Sequence, residues 1–223
     1  MAAHILEARN LVKRYTVGER RLTVIDGVSL TVQSGEFLVV TGPSGSGKTT
    51  LITLLSGLDR PTEGTVFLEG TDITSLSEEG LAPLRNGTIG FVFQSYHLIP
   101  SLTARENVMF PAELRGDAGA GAKAEALLEK AGLAERGGNF PHQLSGGEKQ
   151  RVAVCRALVN EPAIVFADEP TGNLDSESGR TVLDLMLSLQ REKGAAVVMV
   201  THSGEIASLA HRVLTLIDGR IAE

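Results

Sequence analysis

Residues 37–55 read FLVVTGPSGSGKTTLITLL, and this stretch decides the fold. Its first five residues are apolar or β-branched, as in a buried parallel strand, and the residues after Thr49 continue with helical spacing. Between them, residues 42–49 fit the pattern GxxxxGK[ST] in the strand-to-helix context that the pattern requires. Glycines at 42, 45 and 47 allow a tight turn in which backbone N–H groups face an anion. The sequence therefore predicts a phosphate-binding loop.

The predicted loop gives each of its residues a role. Lys48 is expected to reach the β- and γ-phosphates of a nucleoside triphosphate, and the Thr49 hydroxyl is expected to ligate Mg²⁺. The alternative is a Gly/Ser-rich turn with a surface lysine, which leaves eight matching positions unexplained. The residues that we expect to contact the nucleotide are Gly42, Pro43, Ser44, Gly45, Ser46, Gly47, Lys48, Thr49 and Thr50.

Two adjacent acids, Asp168 and Glu169, follow a second apolar strand, AIVFA at residues 163–167. Buried carboxylates are costly unless they have a partner. In a P-loop enzyme a strand of this kind lies beside the phosphate loop, so Asp168 is expected to hold Mg²⁺ and Glu169 to polarise the attacking water. The alternative is a solvated pair of acids that caps a helix.

A second glycine-rich run, LSGGEKQR, occupies residues 144–151 and precedes an apolar helical pattern. Ser145 is a natural N-cap, and Glu148 three residues later completes a capping box. Capping does not explain two consecutive glycines, because glycine weakens a first helical turn unless the backbone must approach something closely. This run therefore predicts both a capped helix and a close contact.

Composition narrows the function. The chain has 223 residues, 42% of them hydrophobic, enough for one substantial core. A net charge of −6 argues against the basic surface that nucleic-acid binding needs, so we expect no nucleic-acid partner. The single cysteine, Cys155, and a start without a signal-peptide pattern indicate a reducing cytosol, and the helix pattern around Cys155 places it in the core. No apolar run approaches the roughly 20 residues of a membrane-spanning helix.

The distribution of apolar residues predicts an α/β fold. Five short apolar strands, at 36–41, 88–93, 163–167, 195–201 and 213–217, alternate with helical segments at 48–56, 118–131, 146–158, 178–193 and 204–210. Segments 5–11, 22–28 and 29–32 alternate apolar and polar residues without an intervening helix, which predicts a flanking antiparallel β subdomain. Residues 95–160 predict an inserted α-helical subdomain, with a flexible connection at 115–123. We expect a single domain, with the core and β subdomain formed by residues 1–94 and 161–223.

LSGGEKQR resembles the hallmark sequence of the ABC-type ATPases, and with the other motifs the resemblance covers essentially the whole chain. It implies a P-loop NTPase core of ABC-ATPase type that binds ATP and Mg²⁺ and hydrolyses ATP. It also implies a head-to-tail dimer of two copies, in which Ser145 and Gly147 of one copy contact the γ-phosphate bound by the other.

Other positions match that family residue by residue. The resemblance implies that Gln94 senses Mg²⁺ or the attacking water, that Asp175 belongs to a loop at the dimer interface, and that His202 is the switch histidine. Tyr15 is similar in placement to the aromatic residue that stacks on adenine, although it could also be an ordinary half-exposed tyrosine of a sheet. Ser203 stands where many relatives carry an acid.

EPTGNLD at residues 169–175 and FVFQSYHLIP at residues 91–100 are similar to the MacB/LolD/FtsE-type group, and residues 107–116 are close to its YbbA-like branch. In that group the ATPase is a peripheral subunit on the cytoplasmic face of the inner membrane. Its partner is an integral membrane permease with a large extracytoplasmic domain, which exports or extracts lipoprotein, lipid, peptide or drug-like cargo. Two alternatives remain open: an ATPase that signals through a membrane partner to extracytoplasmic enzymes, and a soluble ATPase without a membrane partner.

A groove for the partner is expected around residues 95–110. Its apolar side chains could receive a short coupling helix, or they could equally be buried core. They are Tyr96, Leu98, Ile99, Leu102 and Met109. Full burial of all five would exclude the groove.

Overall fold

The computed structural model describes residues 4–18 and 20–222. In chain order its strands are β1 (His4–Val17), β2 (Arg20–Gln33), β3 (Phe37–Thr41), β4 (Glu63–Leu68), β5 (Thr71–Asp72), β6 (Ile89–Phe93), β7 (Ile164–Asp168), β8 (Ala196–Val200), β9 (Arg212–Ile217) and β10 (Arg220–Ala222). Its α-helices are α1 (Lys48–Leu55), α2 (Glu78–Thr88), α3 (Ala104–Glu113), α4 (Ala120–Lys130), α5 (Gly146–Leu158), α6 (Ser176–Lys193) and α7 (Gly204–Ala207). Short 3₁₀ helices span Ala134–Arg136 and Pro141–Gln143. Within the described residues, none of the helices is both long enough and apolar enough to cross a bilayer.

The chain divides into two compact units, one drawn from residues 1–85 and 196–223 and the other from residues 86–195. In the first unit, β1 pairs antiparallel with both β2 and β4, and β4 pairs with β5. Strand β3 lies between β8 and β9 and pairs parallel with both, while β10 pairs antiparallel with β9. Residues 37–40 of β3 and all five residues of β8 are buried, which explains their uniformly apolar sequences.

The second unit joins a two-stranded parallel ladder to helices. Strand β6 pairs with β7, and α5 packs against β6, α3, α4 and α6. The apolar residues of α5 are buried, including Cys155, whose thiol donates a hydrogen bond to the Leu127 carbonyl at 3.4 Å. The predicted core position of Cys155 is therefore confirmed.

The five predicted apolar strands are confirmed as β3, β6, β7, β8 and β9 to within two residues at each end, and the predicted helix at 146–158 has the bounds of α5. The division of residues 22–32 into two segments is wrong, because β2 runs through both. Leu11 pairs with Val28 and Val12 with Asp26, so Gly27 is an extra residue, a β-bulge with a φ of 71°. A bulge shifts the alternation of buried residues by one position, which reads in the sequence as a strand end.

Other boundaries differ for local reasons. The connection predicted at 115–123 is shorter, because α4 already begins at Ala120 and the Asp117 carboxylate orders the turn before it by accepting from the Gly119 N–H and the Lys123 ammonium. Helix α7 ends at Ala207 rather than at residue 210, since the chain turns there into β9.

Strands β4 and β5 and helix α2 are not among the elements predicted from the sequence. In α2 the helix contains Pro83 and only Leu81 is fully buried.

Candidate functional site

The phosphate loop predicted at residues 42–49 lies against β2 and β9 of the first unit. A Cβ on Gly42 would lie 2.1 Å from the Leu216 carbonyl oxygen, and one on Gly47 would lie 2.7 Å from the Val24 carbonyl oxygen. Their φ values of 147° and 100° also exclude most side chains. Both glycines are therefore required by the backbone alone, because the loop is held in a space that leaves no room for a side chain.

The β9–β10 turn braces the loop from the other end of the sequence. The Gly219 N–H donates to the Ser46 carbonyl at 3.1 Å, and the Gly219 carbonyl accepts from the Asp26 N–H at 2.9 Å. Asp218 and Gly219 both have positive φ values, as the tight turn of a hairpin requires. The loop is thus fixed by two segments, around Asp26 and Gly219, that lie almost 200 residues apart in the sequence.

The loop concentrates hydrogen-bond donors. Lys48 is only 6% exposed, and its ammonium donates to the carbonyls of Gly42 and Pro43, each at 2.9 Å. The Ser46 hydroxyl is buried without a hydrogen-bond partner among the described residues. Helix α1 begins here, and its first-turn N–H groups have no partner within the helix. A buried cation, an unpaired hydroxyl and N–H groups without an intrahelical partner fit the polyphosphate of a nucleotide.

Tyr15 lies on β1 opposite Leu22 of β2 and is 39% exposed. Its hydroxyl donates to Asp59 at 2.9 Å, and Asp59 also accepts from the Lys13 ammonium at 2.7 Å. The pKa of Tyr15 is raised, first by burial and then by Asp59, while a hydrogen bond with Thr50 opposes the shift. A partly exposed aromatic side chain of this kind can meet a flat ligand.

His202 leaves β8 at the edge of the sheet where the loop leaves β3. Val40 and Val200 are paired in register, so Gly42 and His202 follow neighbouring parallel strands. Ser203, which follows His202, caps α7 by accepting from the Ile206 N–H at 3.3 Å. Because an aspartate would make the same cap, the structure gives Ser203 a local role that does not depend on charge.

In the second unit, Gln94 and Glu169 follow neighbouring strands in the same way. Phe93 of β6 and Asp168 of β7 are paired in register, so the residues after them leave at one edge. A Cβ on Gly172 would lie 2.8 Å from the Gln94 amide nitrogen and 3.3 Å from a Glu169 carboxylate oxygen. The structure therefore brings the predicted Gln94, Asp168 and Glu169 together at one strand edge.

Asn173 contacts Gln94, a contact that the sequence did not predict. The Gln94 side-chain amide donates to the Asn173 side-chain oxygen at 3.1 Å, and the Asn173 amide donates to the Gln94 backbone carbonyl at 3.2 Å. Asp175, two residues on, caps α6 by accepting from the Ser178 N–H at 2.9 Å, and this bond lowers its pKa. The Asx cap before a helical pattern could have been found in the sequence; the Gln94–Asn173 pair, 79 residues apart, could not.

The capping box predicted at the start of α5 is confirmed. The Ser145 hydroxyl accepts from the Glu148 N–H at 3.2 Å, and the Glu148 carboxylate accepts from the Ser145 N–H at 2.8 Å. Arg136 donates to the same carboxylate at 3.1 Å. The pKa of Glu148 is lowered, chiefly because of the backbone hydrogen bond from Ser145.

The two glycines that follow Ser145 are packed closely. A Cβ on Gly146 would lie 3.1 Å from the Tyr96 hydroxyl, and one on Gly147 would lie 3.2 Å from the Ser178 side chain. These neighbours within the same chain give one reason for two glycines in a first helical turn. Ser145 itself is exposed.

A buried strand that ends in this donor-rich loop and continues as a helix defines a P-loop nucleotide-binding protein. The chain matches the family described as "ABC transporter" over residues 25–172. It therefore belongs to the ABC transporter family as an ATP-binding cassette, and cassettes of this family are ATPases.

Individual relatives match over nearly their whole length. The chain is 47% identical over 224 residues to "Uncharacterized ABC transporter ATP-binding protein YbbA" of Escherichia coli strain K12, covering 100% of this chain and 98% of the relative. It is 48% identical over 221 residues to "Lipoprotein-releasing system ATP-binding protein LolD" of Aquifex aeolicus, covering 98% and 96% of the two chains. The resemblance to the LolD and YbbA group is thereby confirmed.

The fold class is confirmed by a solved structure. "Dimeric structure of a post-hydrolysis state of the ATP-binding cassette MJ0796 bound to ADP and Pi" superposes with a TM-score of 0.90 at 38% sequence identity. The match covers 98% of this chain and 97% of that one. The expected α/β fold, a P-loop core of ABC-ATPase type with antiparallel sheet and helical parts, is the one observed.

Proposed function

We propose that this protein is the ATP-hydrolysing motor subunit of a membrane ABC complex. Two copies close head to tail around two ATP molecules with Mg²⁺ and drive a separate permease that exports or extracts lipoprotein, lipid, peptide or drug-like cargo. The observation that carries the proposal is the phosphate loop, in which the buried Lys48 ammonium and the unpaired Ser46 hydroxyl lie where an anion would satisfy both. The dimeric structure of the related cassette and the LolD name of a relative support the two-copy and transport parts.

The loop residues Gly42 to Thr50 would hold the phosphates, with Lys48 releasing its two carbonyl partners to reach the β- and γ-phosphates. Thr49, Gln94 and Asp168 would hold Mg²⁺, which suits their hydroxyl, amide and carboxylate oxygens. When bound, the ion neutralises charge on the phosphates. Tyr15 would offer its exposed ring face to the adenine.

Glu169 would act as the base that orients water, and His202 would stabilise the transferring phosphoryl group from the end of β8. Glu169 has a φ of 43° and accepts the Gly172 N–H at its backbone carbonyl, so a tight turn fixes the start of its side chain. Asp175 would contribute to the loop at the interface between the two copies.

Ser145 and Gly147 would contact the γ-phosphate bound by the other copy. The Ser145 oxygen accepts in the capping box, and because a hydroxyl can donate as well as accept, its proton could turn to a phosphate oxygen when one is bound. Ser145 is exposed and lies at the N-terminus of α5, where an anion is stabilised by the helix dipole.

The permease would dock on residues 95–110. Tyr96, Leu98, Ile99, Leu102 and Met109 are all half-buried rather than core, so the condition that would have excluded the groove is not met. Nearby, Phe110 is 36% exposed and Leu114 is 66% exposed. Exposed apolar side chains beside a half-buried apolar strip fit a short amphipathic helix from a partner.

The permease is expected to carry a large extracytoplasmic domain and to hold this subunit at the cytoplasmic face of the inner membrane. As a unit of function we take residues 1–223 as one ABC ATPase domain, with a helical subdomain at 95–160 and the core and β subdomain in the remainder.

The test is affinity purification of Glu169→Gln from solubilised native membranes in the presence of Mg-ATP. This variant should bind ATP without hydrolysing it and hold the closed dimer, so a stoichiometric permease with a large external domain should be recovered. Lys48→Ala is the control, since it should weaken ATP binding and lose hydrolysis. Recovery of only a soluble self-dimer would refute the membrane role, and recovery of extracytoplasmic hydrolases with the permease would replace transport by signalling.

A further inference from the structure

Helix α5, whose N-cap is Ser145, also contacts the backbone on both sides of Gln94. The Gln150 side chain is fully buried and donates to the Phe93 carbonyl at 3.2 Å. The Arg156 guanidinium donates to the Tyr96 carbonyl at 2.8 Å and to the His97 carbonyl. One helix therefore contacts the residue before Gln94 and the second and third residues after it; we call residues 93–97 the clamped segment.

The clamped segment has a conformation that needs such support. Tyr96 and His97 have φ values of 61° and 47°, and two consecutive residues with side chains rarely occupy the left-handed region. Their N–H groups close tight turns, from Tyr96 to the Phe93 carbonyl at 3.2 Å and from His97 to the Ser95 carbonyl at 2.6 Å. Both strained residues are the ones whose carbonyls accept from Arg156.

The contacts are made by side chains that cannot easily be replaced. The planar fork of arginine donates to two carbonyls at once, a geometry that a lysine ammonium does not reproduce. Burial lowers the pKa of Arg156, so the guanidinium is held in a desolvated place where it needs its two acceptors. Gln150 and Arg156 lie six residues apart, about 9 Å along α5, and Gly146 at its start faces the Tyr96 hydroxyl.

We propose that Gln150 and Arg156 are positioning residues for Gln94, which fix the clamped segment to the helix that presents Ser145. Gln94 and Ser145 are then carried by one rigid piece of the second unit. The catalytic part of this inference rests on the proposed role of Gln94, whereas the structural part does not.

The structural part is tested by amide hydrogen exchange on the full-length, nucleotide-free protein. Arg156→Met keeps an apolar stem and removes both donors, so exchange at Tyr96 and His97 should be at least tenfold faster, with Arg156→Lys intermediate. Arg136→Met is the matched control, because Arg136 contacts the start of the same helix through Glu148 and not the clamped segment. Unchanged exchange in folded Arg156→Met, or an equal increase in Arg136→Met, would overturn the proposal.

Two further variants keep the test decisive if Arg156→Met does not fold. Gln150→Met removes the donor to the Phe93 carbonyl, and the Tyr96 amide bonded to that carbonyl should exchange at least tenfold faster. Adding His97→Gly to Arg156→Met should restore folding, because glycine takes a positive φ without a Cβ penalty. If the Tyr96 amide stays protected from exchange in Gln150→Met, the proposal that Gln150 fixes the clamped segment is contradicted.

The catalytic part is tested by a double-mutant cycle with Gln94→Ala. Arg156→Met should lower kcat at least tenfold and leave KM within twofold, and the double variant should be no slower than Gln94→Ala alone. If the two losses in kcat multiply in the double variant, Arg156 does not act through Gln94. Full turnover in Gln94→Ala would refute the proposed role of Gln94 and leave the exchange result standing by itself.

Discussion

Replacing Gly42 by alanine tests whether the phosphate loop is held as closely as the structure shows. The new Cβ would lie 2.1 Å from the Leu216 carbonyl oxygen and 2.9 Å from the Ser46 hydroxyl, and the backbone φ is 147°. Overpacking costs about 1–3 kcal/mol and the unusual backbone conformation about 1–3 kcal/mol, so the expected loss is about 2–6 kcal/mol. Leu216 belongs to a paired strand and cannot move aside like a flexible side chain.

The matched control lies three residues further along the same loop. Gly45 has a φ of 80°, but nothing lies within 4 Å of its would-be Cβ, so Gly45→Ala should cost only about 1–2 kcal/mol. The assay is urea denaturation of both variants without nucleotide, with unfolding monitored by circular dichroism. Gly42→Ala should unfold at a clearly lower urea concentration than Gly45→Ala. If the two variants are equally stable, the inference that β9 lies too close to Gly42 to allow a side chain there is refuted.

Three other predictions follow from single side chains. ATP at about 100 times its dissociation constant should stabilise the wild type by about 2.7 kcal/mol and raise its Tm by roughly 5–10 °C. Differential scanning fluorimetry should show this shift in the wild type and its loss in Lys48→Met. Because the pKa of Glu148 is lowered below its ordinary value of 4.5, the stability that its charge supplies is present above that pH and is lost as the pH falls through the lowered value. The difference in the free energy of unfolding between wild type and Glu148→Gln should therefore become smaller as the pH is lowered, which acid denaturation curves measure. A difference that does not change with pH would contradict the capping box. Burial raises the pKa of the Cys155 thiol to about 12, so iodoacetamide at pH 8 should label it only after unfolding in urea.

The elements that the sequence predicted well are those whose signal is local and strong. The phosphate loop, the capping box at Ser145 and the uniformly apolar strands β3 and β8 depend on neighbours within a few residues. The Asp218–Gly219 turn carries a local hairpin signal as well, and the short strand β10 after it could have been predicted. Helix α2 was missed because Gly80, Pro83 and Gly87 all lie within it and lower its intrinsic helix propensity.

The candidate site was predictable as a set of residues but not as an arrangement. Motif positions identify Gln94, Glu169 and Ser145, because each belongs to a short pattern. The residues that fix them lie far away in sequence: Asn173 is 79 residues from Gln94, and Arg156 is 60 residues from Tyr96. Such long-range partners have no periodic signal in one sequence, since only the folded backbone brings them together.

The brace of the phosphate loop by Gly219 has a practical consequence for experiments on this chain. Since the β9–β10 turn bonds to Ser46, residues 218–222 are part of the nucleotide loop's support and not a dispensable tail. A premature stop codon before Asp218 is expected to appear as a nucleotide-binding defect although it removes no motif. A reporter fused after β10 should therefore be separated from it by a flexible linker, so that it does not disturb the same support.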